Sequence, residues 1–223
     1  QLLRGLLNKA SIALETSILL DERARQAELE RELKIAAAIQ ATLLPDSLSA
    51  ANGWRLAAVC RPAQEVGGDF FTEWPGRNDG EHVVVYGDVS GKSISGALMM
   101  MASHDVLNSV AVAHTEPETL LRLANERLYA LRGNRGRTEI QGGSFVALGY
   151  LGFRAGEGVF SYTLAGQPPP MVRRRSGTVE CLEMPDHRLP LGAMRAGGHV
   201  MMEHNLEAGD LIVAYSDGVV EAQ

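Results

Sequence analysis

The sequence predicts an α+β protein built from antiparallel β-sheets and preceded by one long N-terminal helix. Residues 1–44 contain no glycine after Gly5 and no proline, so nothing in most of this stretch interrupts a helix. From about residue 53 onward, short apolar runs alternate with turns that contain glycine, proline or aspartate, a pattern typical of strands. One long helical insertion separates these runs, which favours antiparallel sheets over repeated βαβ units.

The N-terminal segment, residues 1–44, is predicted to be one linker helix that ends at Leu44-Pro45. Its apolar residues recur at helical spacing, and its middle is rich in glutamate and arginine, which favour helices. A helix of this length cannot bury itself against a small domain, so we expect a coiled-coil homodimer through it. The alternative is a solvated linker helix. Because Gln1 lacks a capping signal, we expect the chain to be part of a longer protein.

Residues 45–223 are predicted to form the second domain. Helices are expected at 93–113 and 117–131, and the apolar content of the first one indicates that it is buried. The expected strands are at 54–60, 82–88, 144–153, 159–164, 170–174, 178–182, 199–204 and 210–215.

Composition excludes several functional classes. The net charge is −6 and no basic stripe is present, so we expect no nucleic-acid partner. The two cysteines, Cys60 and Cys181, form no metal-binding or disulfide pattern and are expected to be free thiols. Polar residues interrupt the most apolar stretch, 94–113, so it is too polar to span a membrane. With no signal peptide visible, we expect a cytoplasmic protein without membrane contact.

The segment 83–93, VVVYGDVSGKS, ends like a phosphate-binding loop. That loop requires four residues between its first glycine and the Gly-Lys-Ser end, but only three separate Gly87 from Gly91. Tyr86 occupies the position of the required glycine, and a tyrosine does not easily adopt the backbone geometry needed there. A P-loop nucleotide hydrolase that depends on Lys92 is therefore an unfavoured alternative.

Three aspartates share one context, an apolar strand or its edge beside glycine: Asp69, Asp88 and Asp217. A carboxylate at the end of a buried strand is unfavourable unless it is paired or bound to a metal. Converging carboxylates without histidine or cysteine suit Mg²⁺ or Mn²⁺, and two such ions could activate water and hold a phosphate. For any one aspartate a turn or helix cap is the simpler interpretation, and we adopt it for Asp210.

Several short motifs follow one another in order from about residue 36 to the end of the chain. They are Ile39-Gln40 with Leu43-Leu44-Pro45, Val66-Gly67-Gly68-Asp69-Phe70, Gly87-Asp88-Val89-Ser90-Gly91-Lys92, Leu164-Ala165-Gly166-Gln167-Pro168-Pro169, Pro190-Leu191-Gly192, and Gly209-Asp210-Leu211 with Ser216-Asp217-Gly218-Val219 and Glu221-Ala222. Together they resemble the bacterial SpoIIE/RsbU branch of the metal-dependent PPM serine/threonine phosphatases, which are protein phosphatase 2C-like.

This resemblance implies two packed antiparallel sheets flanked by helices, an α-β-β-α sandwich. It implies hydrolysis of phosphoserine or phosphothreonine on a protein, usually a phosphorylated anti-sigma-factor antagonist. Asp88 would bridge two Mn²⁺ or Mg²⁺ ions, Asp69 and Asp217 would complete the visible ligands, and the backbone carbonyl of Val89 would add one more. The attacking group would be water held by the metals. Residues 6–15 also resemble the last helix of a GAF sensor domain, which implies a sensor upstream.

The sequence departs from the family pattern in three places. The family carries a further metal-binding aspartate some tens of residues after the Asp217 motif, whereas this chain ends at Gln223, so we expect the phosphatase domain to be incomplete at its C-terminus. Gln167 stands where the family often has histidine, and Ser93 and Ser95 replace the usual glycine and alanine. The alternative is therefore a catalytically silent binding or dimerisation module of the same fold.

Overall fold

The computed structural model describes residues 2–49, 53–76, 80–91, 94–114, 116–133, 145–154, 156 and 158–221. Within these residues the helices are α1 (Leu2–Ala41), α2 (Ile94–Ala111), α3 (Pro117–Gly133) and α4 (Asp217–Val220). The strands are β1 (Phe70–Pro75), β2 (Glu81–Val89), β3 (Val146–Arg154), β4 (Val159–Ala165), β5 (Met171–Arg173), β6 (Val179–Cys181), β7 (Met202–Asn205) and β8 (Leu211–Val213).

The described strands form two sheets. The larger has five strands in the order β1-β2-β3-β4-β7, and the smaller has three in the order β6-β5-β8. Every pairing between neighbouring strands is antiparallel. The predicted antiparallel architecture is therefore confirmed.

The side chains of β2 alternate between the two faces of the larger sheet, and this explains how the layers stack. Val83, Val85 and Val89 belong to the core shared with α2 and α3, whereas Val84 and Tyr86 belong to the core shared with the smaller sheet. Successive side chains of a strand point to opposite faces, so one sheet serves both cores. Helices cover one face of the larger sheet and the smaller sheet covers the other. This layering confirms the predicted two-sheet sandwich with flanking helices.

The long N-terminal helix is also confirmed. Before Leu33 its side chains are mostly solvent-exposed. Leu33 and Ala37 are partly buried. Gln40 is buried, with 7% of its surface exposed, and Leu44 packs against the helix-side core. The helix therefore contacts the described part of the domain through its last turns and the turn that follows.

The structure differs from the sequence prediction at three places. Residues 55–62 form no helix or strand, although a strand was expected at 54–60. Ala57, Ala58 and Val59 are exposed in succession, so the segment lacks the alternating burial that a sheet strand needs. Conversely, β1 was not predicted, although its aromatic residues favour a strand. The short α4 was not predicted either.

Both cysteines are free thiols, as expected. Among the helices within the described ranges, none combines the length and hydropathy needed to cross a membrane.

Candidate metal centre

The candidate centre lies at the end of β2 that leads into α2. Asp88 is the penultimate residue of β2 and pairs with Ala147 of β3. Gly87 also lies within this strand, opposite Leu148, so it is a sheet residue rather than the first glycine of a phosphate-binding loop. The structure therefore argues against the P-loop alternative, although Lys92 and Ser93 lie outside the described residues.

The register of β1 brings Asp69 next to Asp88. Asp69 directly precedes β1, and the first pair of the β1–β2 ladder joins Phe70 to Gly87. A Cβ atom added at Gly87 would lie 2.5 Å from the Phe70 ring, so a glycine is needed there for the aromatic side chain to pack. The same close packing fixes the strand whose start carries Asp69.

Asp217 comes from the other sheet. It follows β8 and is the first residue of α4. Burial, then Asp69, then Asp217 raise the pKa of Asp88 from 3.8 to about 7, so both of these carboxylates lie close to that of Asp88. The structure thus brings together all three aspartates that the sequence singled out. They lie where the two sheets meet.

Within the described residues, the cluster has no cationic side chain paired with it. Among the described residues, no lysine, arginine or histidine forms an ion pair with any of the three aspartates. Like charges that crowd together disfavour the ionised form, which agrees with the raised pKa of Asp88. Oxygen ligands with excess negative charge fit a hard divalent cation.

The backbone around Val89 also fits a cation. The Val89 amide donates a hydrogen bond of 3.3 Å to the carbonyl of Gly68. A Cβ atom on Gly68 would lie 2.8 Å from the Val89 carbonyl oxygen and 3.3 Å from Asp88 Oδ1. Glycine at this position therefore leaves the carbonyl and the carboxylate open on one side. Both are oxygen ligands of the kind that Mg²⁺ and Mn²⁺ accept.

The carboxylates are close but are not arranged as a formed binding site. Within the described ranges, no group of three or more histidine, cysteine, aspartate or glutamate side chains has the geometry to hold a metal ion. The Asp69 and Asp217 carboxylates are nevertheless close enough to that of Asp88 to raise its pKa, together with burial. The residue types and their convergence fit a cation, and the ligand assignment is a proposal.

Sequence reasoning missed the role of Ser216. Its hydroxyl donates a hydrogen bond of 2.9 Å to Asp69 Oδ2. Ser216 occupies the N-cap position of α4, yet its side chain makes no capping bond to that helix. The hydroxyl instead links the segment that carries Asp217 to Asp69. Its position directly before Asp217 in the sequence was the available signal.

The contact made by Gln40 was also not predicted from the sequence. This residue joins α1 to the aspartate loop. Its side-chain Nε2 donates to the Gly67 carbonyl at 2.7 Å, and its Oε1 accepts from the Gly67 amide at 3.0 Å. Three residues later, the backbone of Leu43 forms a hydrogen bond with His104 of α2. The end of the long helix is therefore tied directly to the aspartate loop through Gln40.

Gln167, which stands where the family often has histidine, is buried with 3% of its surface exposed. Its Nε2 donates 3.1 Å to the carbonyl of Ala147, the residue opposite Asp88 in the sheet. In this chain the residue therefore supports the strand next to the centre.

Comparison with known proteins identifies the family. Residues 78–223, more than half of the chain, match the family model described as Stage II sporulation protein E (SpoIIE). The phosphoserine phosphatase RsbU of Bacillus subtilis is 27% identical over 203 residues, which cover 90% of this chain and 57% of RsbU. Protein IcfG of Synechocystis is 26% identical over 246 residues, covering 98% of this chain and 37% of IcfG. The chain thus spans less than two thirds of either relative.

Solved structures support the same fold. The SiaA-PP2C domain of Pseudomonas aeruginosa has a TM-score of 0.70 at 20% identity, covering 87% of this chain and 74% of that one. The RsbU and RsbW domains of Rv1364c from Mycobacterium tuberculosis give 0.59 at 24% identity, covering 73% and 42%. At such identities the likeness concerns the fold. Together with the family match, it confirms the resemblance inferred from the motifs: the chain belongs to the SpoIIE family and has a PP2C-type phosphatase fold.

Proposed function

We propose that this chain hydrolyses phosphoserine or phosphothreonine on a protein and that it requires Mn²⁺ or Mg²⁺. The observation that carries the proposal is the convergence of three carboxylates, without a described cationic partner, where the two sheets of a SpoIIE-family domain meet. The B. subtilis relative is a phosphoserine phosphatase, which supports the reaction type.

The ligands we propose are the carboxylates of Asp69, Asp88 and Asp217 and the carbonyl of Val89. A bound divalent cation would supply Lewis-acid stabilisation of phosphoryl charge and would favour an ionised water nucleophile. The protein holds the carboxylates in place through the β1–β2 register and the Ser216 hydroxyl. Because Gly68 has no side chain, a cation can approach the Val89 carbonyl and Asp88 without a steric barrier from this residue.

The substrate we propose is a phosphorylated regulatory protein, an anti-sigma-factor antagonist in a bacterial signalling pathway. The motif resemblance to the SpoIIE/RsbU branch supports it, as does the sequence similarity to the phosphoserine phosphatase RsbU of B. subtilis. We further propose cytoplasmic action and control by an upstream sensor domain through α1. The hydrogen bonds between Gln40 and Gly67 support this route of control, because Gly67 lies two residues before Asp69.

The direct test combines calorimetric titration of Mn²⁺ with hydrolysis of a phosphoserine peptide. Asp88→Asn should remove most of the metal binding and lower kcat/KM by roughly 100-fold or more, since it removes the negative charge and one of the two carboxylate oxygens. Asp186→Asn is the matched control, because Asp186 is exposed and lies outside the cluster. It should behave like the unmodified chain.

Two results would contradict the proposal. If Asp88→Asn retained Mn²⁺-dependent hydrolysis, the assigned centre would be wrong. If the unmodified chain neither bound Mn²⁺ nor hydrolysed the peptide, the catalytically silent module of the same fold would be the better account.

A further inference from the structure

A pocket of about 330 Å³ opens near the candidate centre. Its lining residues are Gly166, Gln167, Pro168, Pro169, Met184 and Arg188. Prolines and the buried Gln167 amide hold one wall in a fixed conformation. Because the lining is mostly apolar and carries one cationic group, the pocket suits a peptide side chain better than a free ion.

The position of the pocket in the sheet relates it to Asp88. Ala147 is opposite Asp88 on the neighbouring strand, and Leu148 forms a bridge with Gly166 at the end of the next strand. Neighbouring strands lie about 4.8 Å apart, so the pocket begins about 10 Å from Asp88. That distance corresponds to roughly three residues of extended chain.

Both features lie on one face of the sheet. Side chains of directly paired residues share a face, so the Ala147 methyl group lies beside the Asp88 carboxylate. A Cβ atom on Gly166 would lie 3.4 Å from the Ala147 Cβ and 2.7 Å from Pro190 Cγ. The small side chain of Ala147 therefore lies between Asp88 and the start of the pocket, and Pro190 covers Gly166.

Arg188 supplies the charged group in the lining of the pocket. Its side chain is exposed, and its Nη1 lies 3.2 Å from Met184 Sδ. Among the described residues, no carboxylate forms an ion pair with Arg188. A guanidinium without an acidic partner, beside apolar surface, is suited to bind a carboxylate supplied by another molecule.

We infer that this pocket binds the substrate segment that flanks the phosphorylated residue, and that Arg188 selects an acidic side chain about three residues from it. The inference rests on the proposed phosphatase function. Arg188 would be a specificity-determining residue, and it would act on peptide binding rather than on the reacting phosphate.

Pairs of phosphopeptides test this inference. The two peptides of a pair differ only at the third residue from phosphoserine, which is glutamate in one and lysine in the other. One pair carries this residue before phosphoserine, and a second pair carries it after. The full chain with Mn²⁺ should prefer the glutamate peptide by about tenfold in kcat/KM on one of the two sides. Arg188→Glu should reverse that preference, and Arg188→Met, which keeps the apolar contact with Met184, should abolish it. Arg173→Glu, an exposed arginine on the smaller sheet, is the charge-matched control and should keep it.

The outcomes separate the two claims. If the unmodified chain hydrolyses both peptides and the Arg188 variants leave the preference unchanged on both sides, the inference is overturned while the phosphatase function stands. If the unmodified chain hydrolyses neither peptide, the proposed function fails and this inference fails with it. Thermal unfolding of each variant identifies any loss of activity that comes from misfolding. If Arg188→Glu is unfolded, the peptide preference of Arg188→Met decides the inference.

Discussion

The side-chain amide of Gln40 and the backbone of Gly67 form a closed pair of hydrogen bonds, one donated in each direction. Gln40 is the penultimate residue of α1, and Gly67 lies two residues before Asp69. A shift or rotation of the helix by a fraction of a turn would break both bonds, since each needs a distance near 3 Å. The helix and the aspartate loop are therefore coupled by geometry.

Replacing Gln40 with alanine should uncouple them. The Gly67 amide and carbonyl would lose their partners in a partly buried setting, at a cost of about 1–3 kcal/mol in the free energy of unfolding. Groups that position metal ligands commonly contribute tenfold or more to metal affinity, so Mn²⁺ binding measured by calorimetry should weaken by roughly tenfold. Phosphatase activity at limiting Mn²⁺ should decrease in parallel.

Gln26→Ala is the matched control, because Gln26 is an exposed residue of the same helix. It should change neither Mn²⁺ affinity nor activity. Equal Mn²⁺ affinity in the Gln40→Ala variant and the unmodified chain would show that the helix does not position the aspartate loop.

Asp88→Asn should stabilise the folded chain when a chelator keeps cations away. The folded pKa of Asp88 is raised to about 7, so ionisation destabilises the fold as pH rises above the ordinary carboxyl value of about 4, and the full cost is present above pH 7. After allowance for solvent screening of a partly buried group, we expect a gain of about 1–2 kcal/mol at pH 8. Chemical unfolding in the presence of a chelator measures this gain.

The gain should disappear near pH 4, where the folded chain already carries a protonated Asp88. Asp186→Asn should show no such pH-dependent gain. If Asp88→Asn were less stable than the unmodified chain at pH 8 in chelator, the three carboxylates could not be repelling one another as the structure indicates.

Asp210 should behave in the opposite way, because its environment stabilises the charge. Its side chain, only 3% exposed, pairs with Arg174 at 2.8 Å and accepts hydrogen bonds from the backbone amides of Glu207 and Arg175. The Glu207 amide first, and then Arg174, lower the pKa of Asp210 from 3.8 to about 2. The resulting stability is complete above about pH 4 and is lost as pH falls through 2.

Asp210→Asn should therefore lower Tm at pH 7, and the difference from the unmodified chain should shrink between pH 4 and pH 2. Mn²⁺ affinity should stay unchanged, since Asp210 lies outside the aspartate cluster. A variant that lost Mn²⁺ binding while keeping its Tm would give Asp210 a role in the centre, contrary to its interpretation as a turn residue.

Asp88 and Asp210 show what could be predicted from the sequence. Both stand beside a glycine next to an apolar strand, and only the order of several motifs separated a candidate ligand from a turn residue. The β2 strand and helices α2 and α3 were predictable because apolar periodicity and length are local properties. The convergence of the aspartates depends on strand register and on packing between sheets, which local patterns do not encode.

The contacts that the sequence did not predict also depend on residues far apart in the chain. Ser216 and Gln40 act through partners 147 and 27 residues away in the sequence, so neither contact has a local signature. The segment 55–62 has strand-like composition, but it lacks a ladder partner among the described strands. Pairing, rather than composition, decides whether an extended segment becomes a strand.

The exposed apolar residues of α1 lead to a prediction about assembly. Leu7, Leu14 and Ile18 are 63%, 64% and 50% exposed and lie seven and four residues apart, on one face of the helix. A second copy of the helix would cover such an apolar face, so sedimentation should show a dimer. Leu14→Glu should shift the dimer toward monomer, because it places a charge in the interface between the two helices. Val112→Glu changes a more exposed apolar residue outside α1 and should leave the dimer intact. A monomeric unmodified chain, or a Leu14→Glu variant that dimerises equally well, would contradict the coiled-coil arrangement.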